Sequence, residues 1–130
     1  MIEIIDLLYL GDRFCEQFLI GKKKISFQIN CISFLKEPNC NWDFDTSNDV
    51  VHGYLVFDNV AEYEMDSLLP FNDEIYEIKV LDKINEWYTF VIYGCNVSSS
   101  AVSTDIQIRI KCKQFYVTDS EHNQIKMKDS

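Results

Sequence analysis

Between residues 105 and 112 the chain alternates without a fault. Ile106, Ile108, Ile110 and Cys112 take one side, and Asp105, Gln107, Arg109 and Lys111 take the other. Only a period of two separates these sets, and that is the period of a strand with one face buried. Residues 24–31 repeat the pattern and then change phase at Ile32 and Phe34, as a chain does when it bulges or crosses between two sheets. Tyr54-Leu55-Val56-Phe57 is apolar on both faces and reads as a central strand, and residues 87–93 form the densest run of β-branched and aromatic side chains. Shorter alternations set Ala61, Tyr63 and Met65 against Glu62, Glu64 and Asp66, and Tyr76, Ile78 and Val80 against Glu77 and Lys79.

Turn residues punctuate these runs. Asp82-Lys83-Ile84-Asn85 reads as a hairpin turn, and Asp58-Asn59 as a second break. Residues 14–20 make a further strand closed by Gly21, and residues 114–118 are either a last strand or the continuation of the one before. Helical spacing occurs once, at Ile5, Leu8 and Tyr9 with Gly11 placed to stop it, which predicts one short N-terminal helix. The expectation is an all-β protein: a two-sheet β-sandwich or open barrel of about eight antiparallel strands.

With 130 residues, 47% of them apolar, the chain holds material for one core, so residues 1–130 form a single domain, with polar residues 119–130 read as a flexible tail. A net charge of −9 argues against binding nucleic acid, since phosphate neutralisation drives that association. No apolar run approaches the roughly 18 residues of a membrane helix. Acidic Glu3 and Asp6 stand where a secretory signal carries basic charge, so the expected location is the cytoplasm, with no membrane partner. The five cysteines, Cys15, Cys31, Cys40, Cys95 and Cys112, are odd in number and contain no C-x-x-C pair. Free thiols in a reducing compartment follow, and a zinc site does not. Abundant Ile, Lys and Asn point to an AT-rich bacterial genome.

Catalytic chemistry finds little to build on. The two histidines, His52 and His122, have no nucleophile at motif spacing, and no nucleophile elbow or Gly-rich phosphate loop occurs. The reading is a non-enzymatic protein with no catalytic residue and no cofactor. Residues 43–49 resemble the opening of a calcium loop, but Asn48 replaces the turn glycine and Tyr54 the bidentate glutamate. That segment reads as an acidic solvated turn, without metal.

Charge is distributed unevenly. From Glu37 to Glu86 there are 13 acids against only Lys79 and Lys83, while the rest of the chain is slightly basic, most densely at Lys22-Lys23-Lys24. Alternation puts Glu62, Glu64 and Asp66 on one face of a strand, where like charges cost stability unless something screens them. With Trp42, Phe44, Asp43, Asp45 and Asp49 in the neighbouring loop, these residues are the candidate contact for a basic protein partner, steered on by charge. Two other classes remain open: a generic interaction or homo-oligomerisation module using the edge around Trp42 and Phe44, and a small-molecule binder holding its ligand between the sheets near Trp87, Tyr88 and Tyr93.

The order of residues 24–34, an acidic loop, the block His52-Gly53-Tyr54-Leu55-Val56-Phe57-Asp58-Asn59-Val60, the pair 75–81 and 87–93, and 105–112 resembles a family of small uncharacterised bacterial β-rich proteins. It is also similar to an immunity-protein family of polymorphic toxin systems, over residues 7–117. The resemblance implies a two-sheet β-fold without enzymatic activity that binds and neutralises a toxin. It supplies no catalytic residue to carry over.

Overall fold

The phase change at Ile32 is the point where the chain leaves one sheet for another. The computed structural model describes residues 4–37 and 49–126, and nine strands lie among them: β1 (Leu8–Tyr9), β2 (Cys15–Ile20), β3 (Lys24–Ile29), β4 (Cys31–Phe34), β5 (Val50–Val51), β6 (Tyr54–Met65), β7 (Ile75–Ile84), β8 (Trp87–Val97) and β9 (Ser103–Thr118). β3 belongs to a six-stranded antiparallel sheet of order β2-β3-β6-β9-β8-β7, and β4 to a three-stranded sheet of order β1-β4-β5. Asn30 holds the crossing: its side-chain oxygen accepts the Phe14 N–H at 2.9 Å, and its carbonyl accepts the His52 N–H at 3.0 Å. The all-β expectation holds, as two sheets with the larger one curled into a half-barrel.

Three local expectations are corrected. The N-terminal helix is a single 3₁₀ turn, Ile4–Leu7, because β-branched Ile4 and Ile5 disfavour propagation and Leu8 and Tyr9 find better partners in Phe34 and Ser33. Asp58-Asn59 does not break the chain: β6 runs through it, bending at Asn59 (φ 54°) and at a bulge between Val60 and Glu62. The hairpin after β7 turns two residues later than expected, at Asn85-Glu86, with Asn85 in the left-handed region at φ 57°.

β9 is the spine of the larger sheet. Its 16 residues pair with β6 along one side and β8 along the other, so residues 114–118 continue the strand. Ile106, Ile108, Ile110 and Cys112 all point inward, each no more than 2% exposed. A seam of phenylalanines fills the curl: Phe18 to Phe27 at 4.9 Å between centroids, Phe27 to Phe57 at 5.9 Å, Phe57 to Phe90 at 5.1 Å. The last two pairs meet edge to face, which adds to the apolar burial. Gly94 admits Phe71 to the seam, since a Cβ there would stand 2.9 Å from the ring.

The sheet closes at one end only. Phe14 bridges Glu74, and the Cys15 N–H donates to the Asp73 carbonyl at 2.7 Å, which joins the starts of the outermost strands, β2 and β7. At the other end β7 is exposed, interrupted by two register shifts and carrying Lys83 on its inner face, 4.9 Å from the Tyr88 ring. Bulges and an inward charge are devices that blunt a free edge. After β9 the chain folds back: Asp119 accepts the backbone N–H groups of Glu121 and Asn123 at 2.9 Å each, the Ile125 N–H reaches the Val117 carbonyl, and His122 stacks on Tyr54.

Candidate functional site

The outer face of β6, β9, β8 and β7 is built in rows set by strand register. Glu62 lies opposite Lys111, Lys111 opposite Thr89, and Thr89 opposite Asp82. The next row runs Glu64, Arg109, Val91, Lys79. Two cations from β9 thus stand beside the carboxylates of β6, and Asp82 flanks them from β7. A groove of about 540 Å³ crosses this face, lined by Glu62, Glu64, Arg109, Lys111, Asp82 and Trp87, with Thr89 and Asn85 on its floor and rim.

Apolar side chains stand open along the same groove. Leu81 is 48% exposed and Ile84 64%, both among its lining residues, while Tyr63, 48% exposed, borders it from β6 with its side chain set to the inward face opposite Ile110. Trp87 is half-buried under two ammonium groups, with Lys113 Nζ 5.0 Å and Lys111 Nζ 5.7 Å from its ring, and Lys113 also pairs with Glu86 at 3.1 Å. Cation–π contact holds the indole in place. The face offers carboxylates, cations and apolar anchors together, a combination suited to a protein surface.

The three strand carboxylates differ in role. Glu62 and Glu64 are exposed, opposite Lys111 and Arg109. Asp66 ends the strand: its Oδ1 accepts the Gln107 N–H at 3.0 Å, and its own N–H donates to the Gln107 carbonyl at 3.3 Å. Asp49 lies elsewhere, exposed before β5 on the three-stranded sheet, and no strand pairing joins it to the other three. Trp42, Asp43, Phe44 and Asp45 fall outside the described residues. Trp87, Tyr88 and Tyr93 do not share a cavity: register sets Tyr88 inward opposite Cys112, whereas Trp87 and Tyr93 face out.

Reading the charges along the chain missed Arg109 and Lys111 as neighbours of Glu62 and Glu64. Alternation had already placed both cations on the solvent face of their strand. What it could not supply was that β9, about 50 residues downstream, lies beside β6.

Elsewhere the titratable groups are structural. Lys24 pairs with Asp58 at 3.8 Å, and the Tyr116 hydroxyl donates to Asp58 at 2.8 Å; burial first, and then this bond, raise the Tyr116 pKa. Lys24 and Tyr116 border a second hollow of about 350 Å³, which His122 also lines. His52 Nδ1 meets the Glu16 carboxylate at the surface. Burial pushes the thiols of Cys15 and Cys112 up to about 12, and the four cysteines among the described residues are unbridged. Among the described residues no group of three or more His, Cys, Asp or Glu side chains is placed to hold a metal, and no helix is long and apolar enough to cross a membrane.

Fold and groove together define a small all-β domain with an open, mixed-charge surface on a curled sheet. The chain belongs to DUF6258, a family of unknown function whose model matches residues 1–129. That agrees with its resemblance to uncharacterised β-rich proteins. No curated protein and no solved structure matches it.

Proposed function

We propose that this is a non-enzymatic protein-binding domain of the immunity type: a bacterial, cytoplasmic protein that docks a basic toxin and neutralises it. The observation that carries the reading is the outer-face groove, where Glu62, Glu64 and Asp82 rim exposed Leu81 and Ile84. Apolar anchors within a charged rim are the anatomy of a specific protein contact. The chain's net charge of −9 steers a basic partner toward it. Lys111 and Arg109 stand opposite Glu62 and Glu64, so like-charge repulsion on this face is already relieved before a partner docks.

The test is neutralisation of the protein encoded beside this one. Co-expression should rescue growth from that protein's toxicity, and Glu62→Lys with Glu64→Lys should slow association by about tenfold, most at low salt. Asp66 is kept as Asp, since reversing it would also remove the Gln107 hydrogen bond at the strand end. A neighbour that is not toxic, or binding indifferent to both substitutions and to salt, would refute the reading.

A further inference from the structure

β6 changes from an interior strand to a sheet edge halfway along its length. β3 covers its first half, from Gln28 opposite Tyr54 to Lys24 opposite Asp58, and the last contact on that side is the Val60 N–H to the Lys23 carbonyl at 2.9 Å. Beyond it, among the described residues, Ala61–Met65 pair with β9 alone. The Asp66 N–H bonds to Gln107 in β9, so the alternation of an antiparallel ladder turns the N–H and C=O groups of Glu64 and Glu62 toward β9 too. Those of Tyr63 and Met65 then point to the open side, as a strand's worth of donors and acceptors.

We infer that this edge takes up an extended polypeptide segment as an added strand, and that the segment carries Lys or Arg at alternate positions. The inference rests on the docking reading above and names its mode. Side chains of an added strand lie directly beside those of β6, face for face. Its outward positions would meet the carboxylates of Glu62 and Glu64, and its inward positions would cover Tyr63, now 48% exposed, and Met65. Basic outside and apolar inside is the complementary pattern. The cations of β9 flank these carboxylates from the far side and leave the edge side to the newcomer.

A second copy of this chain does not fit. Two-fold antiparallel pairing of the edge with itself sets same-face residues opposite one another, so 62, 64 and 66 would meet 62, 64 and 66 in every register, carboxylate against carboxylate. β7, the other long edge, is a poorer platform, broken by two register shifts and by inward Lys83.

Three capped peptides test this at low salt against the full chain: alternating Lys and Val, alternating Glu and Val, and the Lys–Val peptide with its Val nitrogens methylated. The Val N–H groups are the ones that would face β6, so methylation removes the ladder and keeps the charge. The Lys–Val peptide should bind and slow amide hydrogen exchange at Tyr63 and Met65 by about tenfold or more at saturation. The Glu–Val peptide should not bind, and methylation should weaken binding by at least about tenfold. Equal binding of the methylated peptide, or binding without protection of Tyr63 and Met65, would overturn strand addition and leave docking by charge intact. Absence of Lys–Val binding would also overturn it, while the neutralisation assay with Glu62→Lys and Glu64→Lys decides the docking reading by itself.

Discussion

The two halves of β6 share one backbone and little else. Tyr54, Leu55, Val56 and Phe57 are each 8% exposed or less, flanked by β3 on one side and β9 on the other. From Ala61 onward, among the described residues, the strand has β9 alone, and its side chains are exposed except for half-buried Met65. The difference lies in the neighbours, not in strand propensity, since Val60, Tyr63 and Met65 would suit an interior as well as the residues before them. A strand half enclosed on both sides is committed to packing, and a half left open keeps its carboxylates, its tyrosine and its backbone groups for contact.

Substitution should separate the halves sharply. Phe57→Ala removes a ring that touches Phe27, Phe90 and Phe115, and should cost about 3–5 kcal/mol in urea unfolding. Tyr63→Ala, on the same face of the same strand, should cost no more than about 1 kcal/mol. Ile108→Asp gives the largest effect: it buries an unpaired charge at a fully enclosed position between Ile92 and Met65, and the domain should not fold. Circular dichroism and denaturant midpoints measure all three. Equal costs for Phe57→Ala and Tyr63→Ala would mean that the second half is covered in solution.

Much of this contrast was legible in sequence. Period-two alternation oriented Ile106, Ile108, Ile110 and Cys112 correctly, and it put Glu62, Glu64 and Asp66 on the outward face. Strand order was not legible, because register between β6 and β9 is set by the curl of the whole sheet. Hence a column of acids read as unopposed turned out to lie beside Arg109 and Lys111. Asn59 misled for a related reason: Asp-Asn is turn chemistry, but here a left-handed residue bends a strand that β9 holds on its far side.

Alkaline pH should reveal the buried side of the same boundary. Cys112 lies opposite Val60, where β6 passes from enclosed to open, and its thiol, like that of Cys15, is raised by burial from an ordinary value near 9 to about 12. The folded state therefore keeps protons that the unfolded chain releases. Their contribution is whole below about pH 9 and is lost as pH rises from about 9 toward 12, at a slope on the order of 1 kcal/mol per pH unit. Cys15→Ala with Cys112→Ala should be less stable at neutral pH yet decline less steeply above pH 9. Parallel slopes would place the alkaline loss elsewhere. Native thiol reagents should meet half-buried Cys31 before either.

The smallest effect bears most closely on what the open half is for. If the β6 carboxylates repelled one another without relief, neutralising Glu64 would stabilise the fold. With Arg109 directly across the ladder, Glu64→Gln should be neutral or slightly destabilising. A double-mutant cycle of Glu64→Gln with Arg109→Gln should return a favourable coupling of about 0.2–1 kcal/mol, fading in high salt, as for other exposed pairs. Its size matters because the carboxylate has two claims on it, one from β9 within the sheet and one from a partner at the edge. A weak internal claim leaves Glu64 free to turn outward toward an incoming cation at little cost. A coupling well above 1 kcal/mol would tie it to Arg109, and the contact surface would then centre on Glu62 and the exposed apolar residues of the groove.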